Sequence, residues 1–416
     1  MEYKLEDICN FYNGGAWSES EYVESGIPVV KVSNIKGNDI VFDNINYISE
    51  SSLKKYQKNI LKTNDVVIAT VGSHPSLESS AAGRSVLIPK KINGHLLNQN
   101  AVCLRTKDND ILDQKYLGYL VETQAFKNFI QNRGGGAANQ MRIPIGAIKS
   151  YKFKIPKEQK KIAKILSNYD ALIENNLKQI KLLEEKARLT YEEWFLRFKI
   201  DGQKLEIDEN TGLPFGWELT QLKKISSFIN GYAFKSDDFI DVGYPVIKIK
   251  NIDNNSVDVY VTDKVSQNSI EKVNDKFKLA SGDLLIAMTG ATVGKLGFVP
   301  HSDSSCYVNQ RVGKINSKYL YFIFLSLNSE FGQQQILNFA GGAAQPNISG
   351  EQILNVKTII PSDETLLHKF DELGNFILKE KLNLIRQNQL LKESRDILLP
   401  RLMTGLIDVE KLDIKV

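Results

Sequence analysis

Two stretches of the chain carry apolar residues at every third or fourth position. In the first, Ile162, Leu166, Tyr169, Ile173, Leu177, Ile180, Leu183, Ala187, Tyr191 and Trp194 recur with no glycine or proline between them. A 3.6-residue period places them on one face, so the pattern predicts a single helix over about 158–198 with one apolar stripe. The second stretch, about 364–399, carries Leu366, Phe370, Leu373, Ile377, Leu384, Leu391 and Leu398, several of them seven apart, which is the coiled-coil period. Gly374 interrupts it at a cost of roughly 1 kcal/mol in a helix interior. Ser362 or Asp363 stands where a cap belongs. A lone helix of this length leaves its stripe in water, and each of these two is the other's available partner. Elsewhere the pattern changes to short β-branched runs. Val29–Val32, Val66–Ala69, Ser85–Ile88 and Ala101–Arg105 read as strands bounded by Gly, Asn and Pro. Tyr116–Gln131 and Lys318–Leu337 read as helices ended by Gly-Gly stretches.

The pattern is duplicated. Ile27-Pro-Val-Val-Lys-Val-Ser-Asn-Ile35 returns as Tyr244-Pro-Val-Ile-Lys-Ile-Lys-Asn-Ile252, 217 residues on. Asn64-Asp-Val-Val-Ile-Ala-Thr-Val-Gly72 returns as Gly282-Asp-Leu-Leu-Ile-Ala-Met-Thr-Gly290 at an offset of 218. Asn98-Gln99 returns as Asn309-Gln310 at 211, and Gly135-Gly-Ala-Ala138 as Gly341-Gly-Ala-Ala344 at 206. Pro156 and Pro361 then precede the two long helices. Blocks that keep their order while the offset drifts indicate one scaffold with loops of different length. The largest change falls in one loop, Gly72–Arg84 against Gly290–Lys295, where the first copy is longer. The expected fold is α+β: two mixed α/β domains joined by two long antiparallel coiled-coil helices, with a pseudo-two-fold internal repeat. Antiparallel pairing would put a domain at each end of the rod. At ~1.5 Å per residue, ~35 residues span about 50 Å, or roughly one and a half turns of duplex DNA at ~3.4 Å per base pair.

Composition narrows this further. The 416 residues are 42% apolar, enough for more than one core. The formal charge of +4 permits a nucleic-acid partner, provided the cations cluster. Cys9, Cys103 and Cys306 are far apart and lack zinc spacing with His74, His95, His301 or His368. They read as buried apolar residues of a reducing compartment. The opening Met-Glu-Tyr-Lys-Leu-Glu-Asp carries charge where a signal peptide needs an apolar core, and the longest apolar run, Tyr319 to Leu327, is far short of a membrane span. The expectation is a soluble cytoplasmic protein.

The chain resembles the specificity subunits of type I restriction–modification enzymes over nearly its whole length. The resemblance is carried by Gly26-Ile-Pro-Val-Val-Lys-Val-Ser-Asn-Ile35, Gly282-Asp-Leu-Leu-Ile-Ala287, Leu97-Asn-Gln-Asn100, the Gly-Gly-Ala-Ala turns, the proline-led helices and Leu399-Pro-Arg-Leu-Met-Thr-Gly405. It implies target-recognition domains over 1–157 and 201–362, each reading half of a split, asymmetric DNA sequence. It implies spacer helices over 158–200 and 363–416 that bind two methyltransferase subunits, with two restriction subunits as an optional addition. S-adenosylmethionine would belong to the methyltransferase partner, and ATP and magnesium to the restriction partner. No cofactor, metal or catalytic residue is implied for this chain.

The residues agree. Gly290-Ala-Thr-Val-Gly294-Lys295-Leu296 has one residue too few between its glycines for a phosphate loop, and Leu where Ser or Thr would hold magnesium. No methyltransferase string and no nucleophile elbow occurs. Base reading needs Arg, Lys, Asn, Gln, Ser or Thr on loops that can enter a groove. Lys31, Ser33, Asn34 and Lys36 follow a strand, with Lys248, Lys250 and Asn251 as counterparts. The divergent loops offer Ser73, His74 and Thr292, and end in the matched cations Arg84 and Lys295, which suit a shared phosphate contact. Asn98, Gln99 and Asn100, with Asn309, Gln310 and Arg311, present amides that suit adenine or cap their own turn. Arg133, Asn139, Gln140, Gln345 and Asn347 flank the Gly-Gly-Ala-Ala turns, where the backbone can approach a phosphate closely. Two other readings compete. A standalone DNA-modifying enzyme would need a donor or metal motif, and a structural coiled-coil adaptor would leave the duplicated domains without purpose.

Overall fold

A computed structural model describes residues 2–36, 39–42, 45–73, 80–136, 141–341 and 346–414. The chain divides into two compact units, Met1–Leu172 with Leu391–Val416, and Ile173–Leu390. Each long helix is therefore shared. The first, Gln159–Tyr191, continues as a wider π-turn through Glu192–Leu196; the second runs from Glu364 to Met403. The end of the chain folds with its beginning.

The first unit is built on an antiparallel sheet in the order Ser85–Leu87, Val66–Ala69, Ala101–Thr106, Cys9–Asn13. The second unit repeats it as Leu296–Phe298, Leu284–Ala287, Val312–Asn316, Ser227–Asn230. A smaller sheet is repeated too. Leu96–Leu97 runs parallel to Ile27–Val30, which pairs with Asn46–Ile48; Cys306–Val308, Tyr244–Ile247 and Asp263–Val265 do the same. The parallel pairing needs a crossover, and the intervening larger sheet supplies it in both units. A third pairing joins Glu2–Lys4 to Lys152–Lys154, and Trp217–Gln221 to Lys357–Pro361, just before each long helix. Val66–Ala69 and Leu284–Ala287 are buried at every position, as central strands covered on both faces must be.

The expected strand Val29–Val32 ends earlier, at Val30, because Val32–Asn34 forms a 3-10 turn tied by the Asn34 side chain. Two expected helices are each two. Gln114–Glu122 stops at Thr123, whose hydroxyl accepts the Phe126 N–H to start Gln124–Gln131. Leu320–Asn328 stops at Ser329, whose hydroxyl accepts the Gly332 N–H to start Glu330–Ala340. Asp363 caps the second long helix by accepting the Thr365 N–H at 2.9 Å. Gly374 proves to be a packing requirement: a Cβ there would stand 2.6 Å from the Tyr321 side chain.

Within the first unit, Ile162, Ala163 and Leu166 share a core with Leu399, Leu402 and Val409. Asp170 pairs with Arg395 at 2.6 Å, and Lys161 reaches the carbonyls of Glu410 and Leu412. Within the second, Ala187, Tyr191, Trp194 and Phe195 share a core with Leu367, Phe370 and Ile377. Asn176 donates to Asn388 at 2.9 Å and Lys381 pairs with Glu184 at 2.6 Å. In each unit residue numbers rise along one helix as they fall along the other, so the pairing is antiparallel. Leu177, expected in the stripe, is exposed, and Asn176 takes the inward place. The three cysteines are buried and unpaired. Burial pushes the Cys9 thiol up to about 12, away from thiolate chemistry.

Candidate nucleic-acid interface

A polar concavity lies in the second unit. Its frame is the turn at Asn309–Arg311, pinned by backbone bonds from Asn309 N–H to Ile247 C=O and from Tyr232 N–H to Val308 C=O. Gly231 lets the chain pass: a Cβ there would lie 1.9 Å from the Asn309 carbonyl oxygen. Met288 then joins two segments. Its N–H donates to the Arg311 carbonyl at 3.0 Å, and its carbonyl accepts the Ile348 N–H at 2.9 Å. The result is a cavity of about 460 Å³ lined by Met288, Thr289, Gln310, Arg311, Pro346 and Asn347. The Thr289 hydroxyl is buried there with no hydrogen-bond partner among the described residues. Gln310, Arg311 and Asn347 are exposed, while Asn309 is buried at 8% exposure.

The first unit reproduces the frame. Asn98 N–H donates to Val30 C=O, and a Cβ on Gly14 would lie 1.8 Å from the Asn98 carbonyl oxygen. Thr70 takes the place of Met288: its N–H donates to the Asn100 carbonyl at 2.9 Å, and its carbonyl accepts the Ile143 N–H at 2.8 Å. Gln99 is exposed and Asn100 half-buried. The residue in the place of Asn347 is therefore Arg142, exposed and paired across to Val71. Sequence reasoning missed Arg142, because the Gly-Gly-Ala-Ala offset of 206 slips to 205 between that turn and Ile143. The signal was the isoleucine shared by Arg142-Ile143 and Asn347-Ile348.

Other predicted readers prove to be engaged within their own unit. Asn34 and Asn251 are buried at 2% and 5% exposure. Each accepts a backbone N–H, from Lys31 and Lys248, and donates to a carbonyl, of Val41 and Val261. They build the turn and are buried within it. Lys248 and Lys250 share Asp263 at 2.8 and 3.0 Å, and their hydrogen bonds, Lys248 first, hold its carboxyl below the usual range. Lys248 also lies 3.7 Å over the Phe239 ring. Lys31 donates to Asn46 at 2.8 Å. The matched cations stitch matched segments: Arg84 donates to the Ile35 carbonyl, and Lys295 pairs with Asp253 at 2.6 Å. An exposed pair such as the latter is worth about 0–1 kcal/mol, so Lys295 can exchange it for a phosphate. Arg133 is exposed but folded back over Phe129, 3.6 Å from the ring. Ser33 and Lys36 are exposed, Ser73 half-buried, and Thr292 donates to the Thr289 carbonyl. His74, Asn139, Gln140 and Gln345 lie outside the described residues.

The sequence pattern of the type I restriction modification DNA specificity domain matches residues 1–185 and 214–387. The chain belongs to that family. This makes it a DNA-recognition subunit and not an enzyme. The type I restriction enzyme MjaVIII specificity subunit of Methanocaldococcus jannaschii is 24% identical to it over 414 residues, covering 94% of this chain and 92% of the relative. The HindI specificity subunit of Haemophilus influenzae is 22% identical, covering 78% and 83%. A solved type I S subunit from M. genitalium, at 16% identity and a TM-score of 0.56, covers 96% of this chain and 94% of its own, which supports the fold. Among the described residues of this specificity subunit, no helix is long and apolar enough to cross a membrane.

Proposed function

We propose that this specificity subunit reads a split, asymmetric double-stranded DNA target. Residues 1–157 read one half and residues 201–362 the other, and the helical segments 158–200 and 363–416 set the spacing between half-sites. The observation that carries this reading is the paired frame: the same backbone scaffold at Thr70 and at Met288, carrying different exposed side chains. Two identical frames with unlike edges suit two unlike half-sites. The same helices carry two adenine-methyltransferase subunits, to which restriction subunits can be added. Exposed apolar side chains on them support a protein partner, notably Leu182 at 65% and Phe376 at 60% exposure, both in the second unit. S-adenosylmethionine is then the methyltransferase's cofactor, ATP and magnesium those of the restriction subunits, and the assembly works in the cytoplasm.

The test is a domain replacement. Residues 1–157 are exchanged for the counterpart from another family member, and methylated adenines are mapped in cells that also hold the methyltransferase subunit. One half of the methylated sequence is expected to change. A change in both halves, or in neither, overturns the reading. Purified alone, the chain is expected to transfer no labelled methyl group to DNA.

A further inference from the structure

The chain has ten arginines, and seven of them are engaged within the protein: Arg105 with Asp65, Arg395 with Asp170 and Arg386 with Asp303, for example. Among the described residues, Arg142, Arg311 and Arg401 make no side-chain hydrogen bond or ion pair with another described residue. Arg401 lies in the last turn of the second long helix. The other two stand at the frame residues described above. Arg142 precedes the residue that donates to Thr70, and Arg311 is the residue that accepts from Met288. A carboxamide residue occupies the other frame position in each unit: Asn100, whose carbonyl accepts from Thr70, and Asn347, which precedes the Ile348 that donates to Met288. The pair of chemistries is conserved between the two units while its order is reversed. The turn carries Asn and the strand Arg in the first unit; the turn carries Arg and the segment after Pro346 carries Asn in the second.

We infer that Asn100 with Arg142, and Arg311 with Asn347, are the base-reading pairs of the two half-sites, each offering a guanidinium for a guanine and a carboxamide for an adenine. This rests on the DNA-reading function proposed above. The chemistry follows from the donors. A guanidinium fork meets O6 and N7 of guanine, and a carboxamide meets N6 and N7 of adenine, both in the major groove. In the second unit these groups line one cavity of about 460 Å³ beside Gln310 and an unpartnered Thr289 hydroxyl. Polar groups already hydrogen-bonded within the protein would have to break those bonds to read a base; these four side chains do not. The reversal means that guanine is read from the turn in one half-site and from the opposite segment in the other. The strand polarity of the purine pair is therefore expected to differ between half-sites.

The experiment uses the full chain assembled with its methyltransferase subunit, on a DNA library with both half-sites randomised, read by methylation sequencing. Arg311→Gln is expected to relax discrimination at one guanine position of one half-site on the order of 10- to 100-fold, leaving the other half-site unchanged. Arg142→Gln is expected to do the same in the opposite half-site. Asn347→Ala and Asn100→Ala should each relax one adenine position. Both arginines are exposed, and circular dichroism checks that the variants fold. If an arginine substitution weakens methylation of all sequences evenly and lowers the salt slope of binding by about one, that side chain meets a phosphate and the inference is overturned. If both arginine variants alter the same half-site, it is overturned too. In either case the proposed function survives, because the wild-type complex still methylates a split sequence. Only the absence of any split target from the wild-type complex defeats that function.

Discussion

Asn251 shows how a residue of the right chemistry can be spent on structure. Its amide closes the turn after Tyr244–Ile247 from both sides, with the Val261 carbonyl at 2.8 Å. Asn251→Ala removes the partner of the Lys248 N–H and of that carbonyl at a partly buried site, at a cost of about 1–3 kcal/mol. Thermal unfolding should show the loss, with half-site preference unchanged in whatever complex remains folded; a shift in preference without loss of stability would return Asn251 to the reading set. Nothing in the sequence separates Asn251 from Asn347, since each immediately precedes an isoleucine that proves buried. Burial separates them, and burial depends on which segment passes overhead. Glu122 gives a second test at this scale. Burial pushes its carboxyl up to about 7, with Asp170 raising it further and Arg395 opposing. Between about pH 4.5 and 7 the folded first unit keeps a proton that the unfolded chain has lost, so its stability falls as pH rises through that window. The unfolding temperature should drop between pH 5 and pH 8, and Glu122→Gln should flatten that dependence. An unchanged pH profile in the variant would contradict it.

Among the elements, the long helices were the most legible, because their stripes run over many turns and periodicity sums over length. Their polar seam residues were not. A stripe read by apolar type picks Leu177, whereas the structure turns Asn176 inward to Asn388 and buries Lys381 against Glu184 and the Asn255 carbonyl. Polar pairs in an apolar seam fix register, since any slip leaves them unpaired. Desolvation lowers the Lys381 ammonium below the ordinary lysine range despite its carboxylate partner. Lys381→Met strands Glu184, which is 25% exposed, so the cost should lie below the 3–5 kcal/mol of a fully buried broken pair, at about 2–3 kcal/mol. Pairing it with Glu184→Leu should recover more than half of that. Chemical denaturation of the four species of this cycle measures it, and strictly additive losses would show that the two side chains are uncoupled. The helix breaks at Thr123 and Ser329 were legible in principle, since both are hydroxyl caps standing before a fresh apolar turn. The apolar run on either side concealed them.

At the scale of the whole molecule, the repeat was legible because it duplicates residues, whereas the sharing of the helices was not, because linear order hides it. A reading by sequence assigns residues 363–416 to one distal segment. Packing instead divides the second long helix, and residues Leu391–Val416 complete the first unit. Leu399, Leu402 and Val409 are buried there beside Ile162, Ala163 and Leu166. At about 1.5–3 kcal/mol for each buried side chain, their removal costs several kcal/mol, a large part of the 5–15 kcal/mol that holds a typical domain. Lys161 also loses the carbonyls of Glu410 and Leu412, and Asp170 loses Arg395. Ending the chain after Leu390 is therefore expected to loosen the first unit, which begins 390 residues away, and to spare the second, whose core lies entirely within Ile173–Leu390. Hydrogen exchange reads the difference directly. Amides of Ala101–Thr106 and of Gln114–Glu122 should exchange faster in the shortened chain, while those of Leu284–Ala287 and Val312–Asn316 keep their rates. Equal loosening of both sets would mean that the tail acts on the molecule as a whole, and protection retained in the first set would mean that the unit closes without it.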